Sequence, residues 1–305
     1  MDNTVGIPNY VVSRTSEGEA SFVVAEYGYS RGVIEDAKRQ RRRLFFRIRV
    51  AFLLVVLFVV VLVAIADWRR RRARNEWRTP LDVAVVLVAP NADDRTPEEA
   101  ALEAFRERAT ALEDRLAAEF VRYRPISMRP FRLRVVGPVP LAATVPRMGE
   151  GAIELAKHTL ELSRWTHDID ERAGVISDHY DARIYVVARR PSTEERAFVE
   201  GESQKNGRIG VVEVELDASM VDFALIVVAH ELMQTLGASD KYDADGHTHI
   251  PEGLAEPNLT PLYPQRFAEV MSRNRPVAAG REVVPTSIDE LAVGLATAYE
   301  IGWSR

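Results

Sequence analysis

VVAHELMQTLGASDKYD, residues 227–243, is the stretch on which the reading of this chain turns. Its first ten residues continue an apolar run that begins at Val221, long enough for a helix, and Gly237 stops it. Residues four apart on a helix share a face, so His230 and Gln234 point at the same spot, with Glu231 directly after the histidine. In the pattern H-E-x-x-H, two imidazoles on such a face hold Zn²⁺, a third ligand comes from beyond the helix, and water takes the open position. The glutamate of the pattern takes a proton from that water and passes it to the leaving group. Here the fifth position is Gln234. The turn allowed by Gly237 lets Asp240, ten residues after His230, come back toward the same spot.

Working outward, the elements around this helix define an α/β layout. LDVAVVLVA (81–89) is a nearly continuous apolar run, as expected of a buried strand. Thr96-Pro97-Glu98-Glu99 predicts a helix start, with Thr96 as N-cap and Pro97 at the first position, and Leu102, Phe105, Leu112, Leu116 and Phe120 supply its apolar stripe. Residues 131–136 read as a second strand, 151–165 as a second helix, and ARIYVVA (182–188) as a third strand. After a polar loop, RIGVVEVEL (208–216) alternates valines with acids and predicts a strand with one wet face, a candidate edge for docking a peptide. Beyond the motif helix a Pro/Gly-rich segment runs to about Pro285, and the capping box Ser287-Ile288-Asp289-Glu290 predicts a final helix. Strand, helix, strand, helix, strand, strand, motif helix gives a mixed β-sheet with packed helices, with no internal repeat.

The 305 residues contain no cysteine, which excludes disulfides, thiolate metal sites and cysteine nucleophiles. The net charge of −5 conceals an asymmetry: from Pro80 onward there are 25 Lys/Arg against 37 Asp/Glu, while the first 78 residues hold the other 15 basic residues. An acidic globular part argues against nucleic-acid binding. The basic residues flank VAFLLVVLFVVVLVAIA (50–66), 17 residues without a polar side chain, which predicts a single transmembrane helix over 41–72 with Trp68 as an interfacial anchor. A polar tail (1–40) precedes it, residues 33–49 can prolong the helix, and a linker (73–79) leads to the domain at 80–305. Seven basic residues before the span and six after it give no orientation by charge. Two features, Arg42-Arg43-Leu44-Phe45-Phe46-Arg47 as a twin-arginine-like signal and Ala64-Ile65-Ala66 as a peptidase-like site, place the C-terminal domain outside the inner or plasma membrane, held by an uncleaved anchor.

The spacing His230-Glu231-x-x-Gln234-x-x-Gly237-x-x-Asp240 resembles that of metzincin-type zincins whose third ligand is an aspartate. Taken with PEGLAEP (251–257), PLYPQRFAEVM (261–271) and TAYEIGW (297–303), it resembles more closely a group of bacterial membrane-anchored zincin-like proteins in which the run usually reads HELLHTLGATDKYD. The resemblance covers about residues 80–303 and is strongest after Val227. It implies a zincin fold, zinc as the cofactor, His230 and Asp240 as ligands with position 234 as the third, Glu231 as the base, and Met271 as a turn beneath the site. The departure is Gln234: an amide oxygen is a neutral, weak zinc ligand, where the metal prefers imidazole, thiolate or carboxylate. His247 and His249 follow Asp240 in an Asp/Gly-rich stretch and are candidate replacement donors, although as loop histidines they need no role. Asp243 and Asp245 lack the terminal glutamate of a calcium loop. The expectation is a degenerate metallopeptidase that binds peptide or protein; the alternatives are an active zinc endopeptidase with Glu231 as base, and a structural envelope protein.

Overall fold

The computed structural model describes residues 31–90, 96–141, 143–149, 151–191, 199–203, 207–272 and 274–304. Two compact units divide at Ile65/Ala66. The N-terminal polar tail up to residue 30 lies outside the described residues. In the first unit runs most of α1 (Arg31–Arg74), whose 44 residues extend about 66 Å at 1.5 Å per residue. From residue 43 this helix is long and apolar enough to cross a membrane. Every side chain from 43 to 66 is exposed, and from Val50 to Ala66 none of them is polar.

The second unit is built on a five-stranded sheet. Its strands are β1 (Leu81–Pro90), β2 (Phe131–Leu141), β3 (Ala182–Arg189), β4 (Val199–Ser203) and β5 (Ile209–Glu215), in the order β2-β1-β3-β5-β4. Four strands are parallel, and β4 pairs antiparallel with β5 at the edge. The fold is thus the mixed α/β arrangement that the alternation of elements predicts. The period-two geometry of β1 explains its unbroken apolar run. Val83, Val85 and Leu87 face one core with α2 (Glu99–Tyr123) and α4 (Val221–Thr235), while Ala84, Val86 and Val88 face a second core with α3 (Ala152–Ala173). The α2 stripe read from sequence is fully inside: Phe105, Leu112, Leu116 and Phe120 are each 0% exposed.

Several local expectations are corrected. Thr96 does not cap α2; its hydroxyl donates to the Pro90 carbonyl at 3.0 Å, and Glu98 is the residue before the helix. α3 runs to Ala173, eight residues past the expected end, where Gly174 closes it in the left-handed conformation. The strand over 208–216 is neither wet nor an edge. Val211 to Val214 are all buried, and the Glu213 carboxylate is neutralised by Arg147 and Arg189, each at 2.7 Å. The edge position belongs to β4, which lies in the stretch read as a polar loop. Ser287 does accept the Asp289 N–H, but the helix it starts is a single 3-10 turn (Ile288–Glu290). There the chain becomes β9 (Leu291–Ala292), pairing with β6 (Ala268–Glu269), and only then forms the short α5 (Leu295–Glu300). A two-stranded β7 (Arg275–Ala278) and β8 (Arg281–Val283) also occurs in the Pro/Gly-rich segment.

The stretch 73–79 expected as a linker is bonded into the second unit. The Arg74 guanidinium donates to the carbonyls of Asp181 and Gly207, and Asn75 donates to the Leu236 carbonyl at the end of α4 (2.9 Å). Trp77 is 3% exposed, donates its indole N–H to the Ile301 carbonyl, and packs its ring against Phe120, Phe131 and Trp303 at 5.4–5.7 Å.

Candidate metal centre

Helix α4 carries the motif because its sequence is apolar on almost every side, so it is driven into the core between α2 and the sheet. In its last turns only His230 and Gln234 are partly exposed, and they lie four residues apart on one face. Gly237, at φ 107°, reverses the chain in a conformation that a side chain would strain, and the returning strand of loop brings Asp240 to the same face. Three groups then meet. The Gln234 side-chain nitrogen lies 2.6 Å from Asp240 Oδ1 and 3.1 Å from His230 Nε2, and His230 Nε2 lies 3.1 Å from Asp240 Oδ1.

The proton positions follow from the partners. His230 Nδ1 sits 2.9 Å from the Val270 carbonyl, which can only accept, so Nδ1 carries a proton. In the neutral ring Nε2 is therefore an acceptor. The Asp240 carboxylate only accepts, which fixes the amide orientation: the Gln234 NH₂ group donates to Asp240 Oδ1, and to His230 Nε2 when the ring is neutral. Burial, the largest influence on the His230 pKa, opposes charge, but the Asp240 hydrogen bond, the Glu231 charge and the Val270 carbonyl outweigh it, and the net direction is upward.

The loop that delivers Asp240 is pinned on both sides. Lys241 is 5% exposed, and its ammonium donates to Ser239 Oγ (2.7 Å) and to both Glu300 oxygens (2.7 and 2.8 Å), tying the loop to α5. Its backbone N–H donates to the Met271 carbonyl at 2.9 Å. Met271 is itself 0% exposed, and with Val270 it forms a turn directly under the site. That turn is held by Glu269, whose carboxylate accepts the N–H groups of Met271 (2.6 Å) and Gly294 (3.0 Å); burial raises its pKa. Sequence reasoning missed Val270, Lys241, Glu269 and Glu300. Apart from Lys241 to Ser239 and Glu269 to Met271, the pinning contacts span 25 to 59 positions, and no local pattern announces them.

Glu231 is placed differently. It is 2% exposed, and its carboxylate lies against Gly201 of β4, where an added Cβ would collide with Oε1. It does not complete a close group with His230 and Asp240. The two loop histidines do not complete one either. His247 is exposed and belongs to a surface group with Asp243 and Asp245, and the exposed His249 lines a cavity of about 430 Å³ beside Asp240, with Lys241, Glu252 and Glu300.

Zinc can be tested against this donor set. His230 Nε2 and Asp240 Oδ1 are suitable ligand atoms, and their separation is close to the ~3.3 Å between neighbouring ligands implied by ~2.0–2.1 Å bonds in a tetrahedral site. The third group is an amide that turns its N–H pair toward both atoms, and its oxygen is a neutral, weak zinc ligand. Among the described residues no other His, Asp or Glu joins His230 and Asp240 with all ligand atoms within 4.8 Å. Two ligands in place of three do not fit a catalytic zinc site.

A solved structure that the comparison matches to part of this chain is the archaemetzincin of Methanopyrus kandleri. The two chains are 15% identical, with a TM-score of 0.27, over 53% of this chain and 76% of the other. No family model and no curated protein matches the sequence. What the site can do follows from its own residues.

Proposed function

We propose that this chain is a membrane-anchored, zincin-like protein related to metallopeptidases, whose metal site is degenerate and whose domain binds peptide or protein segments without cutting them. The observation that carries the reading is the Gln234 amide, which turns N–H donors toward His230 Nε2 and Asp240 Oδ1, the two atoms a metal would need. The burial of Glu231 against Gly201 supports it, since a general base must reach a water at the reacting bond. Binding is assigned to the sheet edge. Among the described residues no strand pairs with the outer side of β4, and an extended segment added there would gain main-chain hydrogen bonds next to α4. The anchor is α1, which is long and apolar enough to cross a membrane; the twin-arginine-like and peptidase-like features beside its apolar stretch favour the inner or plasma membrane with the acidic domain on the outer side.

The test uses the full-length protein in detergent, a pool of fluorescent extended peptides and equimolar zinc. The expected result is peptide binding that persists in chelator, with no cleavage above that of a Glu231→Gln variant. Cleavage that requires Glu231 would replace this reading with an active zinc endopeptidase.

A further inference from the structure

We infer that Gln234 does the cation's structural work: its amide is a built-in, metal-free clamp that holds the loop after α4 to the face of the helix. The inference rests on the degenerate-site reading above and goes beyond it, because a merely decayed site would need no hydrogen bond from position 234 to Asp240.

A metal ion in such a site has a mechanical role as well as a chemical one. It joins a helix to a loop, here through His230 on α4 and Asp240 on the loop. They lie 3.1 Å apart, an ion pair when both ring nitrogens of His230 are protonated and two acceptors when the ring is neutral. The Gln234 nitrogen stands beside both, at 3.1 and 2.6 Å, and a primary amide carries two N–H donors: one goes to the Asp240 carboxylate in either state of the ring, and the other to His230 Nε2 when the ring is neutral. The short contact to the carboxylate is the charge-assisted one and the stronger of the two. Histidine at this position could not make this link, because a neutral ring has a single N–H.

The surroundings are built for a fixed loop. His230 is oriented from behind by the Val270 carbonyl, and the residues on either side of Asp240 are tied to Glu300, Ser239 through its hydroxyl at 2.6 Å and Lys241 through its ammonium at 2.7 Å. Asp240 is therefore held close to α4 from its flanks, and the amide closes the remaining gap. The consequence is a binding surface whose shape is independent of divalent cations.

The experiment follows thermal unfolding of the full-length protein in detergent, in EDTA and in equimolar zinc. Gln234→Glu keeps the shape of the side chain but replaces its donors with acceptors. In EDTA it should lower Tm by about 4–8 °C, two lost hydrogen bonds on a domain of this size. Zinc should restore it, since His230, Asp240 and the introduced carboxylate would supply three good ligands. The wild type should unfold at one temperature in both buffers. Should Gln234→Glu prove too unstable to study, Gln234→Ala is read by hydrogen exchange, with residues 237–243 exchanging about tenfold faster and α2 unchanged. If Gln234→Glu in EDTA is as stable as wild type, or Gln234→Ala leaves exchange in the loop unchanged, the clamp is wrong while the degenerate-site reading survives. If the wild type itself loses stability in EDTA, an ion holds the site and both fall.

Discussion

Replacing Lys241 with methionine tests how the Asp240 loop is held. The ammonium is buried and makes three contacts of 2.7–2.8 Å, two of them to the Glu300 carboxylate. Breaking a buried ion pair by removing one partner costs about 3–5 kcal/mol, because the remaining charge is left without compensation. Glu300 keeps the Ser239 N–H and hydroxyl and its side chain is 28% exposed, so the cost here falls to about 2–3 kcal/mol. For a unit of this length that corresponds to a Tm lowered by about 4–12 °C. Burial works most strongly against charge on Glu300, but Lys241 and Ser239 prevail and hold its pKa below the ordinary value. A depressed carboxyl contributes stability above its unfolded pKa, near 4.3, and loses it as pH falls through the folded value. The gap between wild type and Lys241→Met should therefore narrow below about pH 4. The assay is thermal unfolding of the full-length protein, with Glu300→Gln completing a double-mutant cycle. Additive single effects, or a Lys241→Met variant within about 0.5 kcal/mol of wild type, would refute the reasoning.

Three further outcomes are expected. Gly201→Ala forces a Cβ into the Glu231 carboxylate and should cost about 1–3 kcal/mol, with most of the loss recovered when Glu231→Ala is added; equal losses in both backgrounds would deny that β4 lies on Glu231. Asp222→Asn removes the carboxylate that binds the Arg108 guanidinium at 2.5 and 2.7 Å and should cost about 1.5–3 kcal/mol at pH 7. Burial opposes charge on Asp222 most, yet Arg108 and the Ile288 N–H hold its pKa down, so the effect should fade in acid below about pH 4, as a pH series of unfolding curves would show. Trp77→Ala should cost about 3–5 kcal/mol by opening a cavity among Phe120, Phe131 and Trp303, which denaturant titration measures; a small effect would return 73–79 to the status of a linker.

What the sequence revealed were the features written in local periodicity. The apolar length of α4, the Gly237 stop and the return of Asp240 depend on residues within one turn or two of each other, so the meeting of His230, Gln234 and Asp240 could be anticipated. The doubly buried β1 was equally plain, since a strand covered on both faces has no room for alternation. The edge strand was not. Val199-Glu-Gly-Glu-Ser has one apolar residue, and its extended form comes from pairing with β5. Glu213 looked solvated because its alternation with valine is that of a wet face, and the arginines that bury it lie 24 and 66 positions away. Thr96 and Ser287 show how tertiary contacts override capping signals. One hydroxyl prefers the Pro90 carbonyl, and the other caps a turn that sheet pairing ends at once.

The central claim is that Gln234 stands where a metal ligand would be needed and leaves the site without zinc. Metal analysis of the full-length protein, purified in zinc-supplemented medium beside its Gln234→His variant, addresses it directly. The account predicts wild-type protein with far less than one zinc per chain and a variant that retains one ion. A wild-type protein carrying one zinc per chain, lost in His230→Ala, would contradict it.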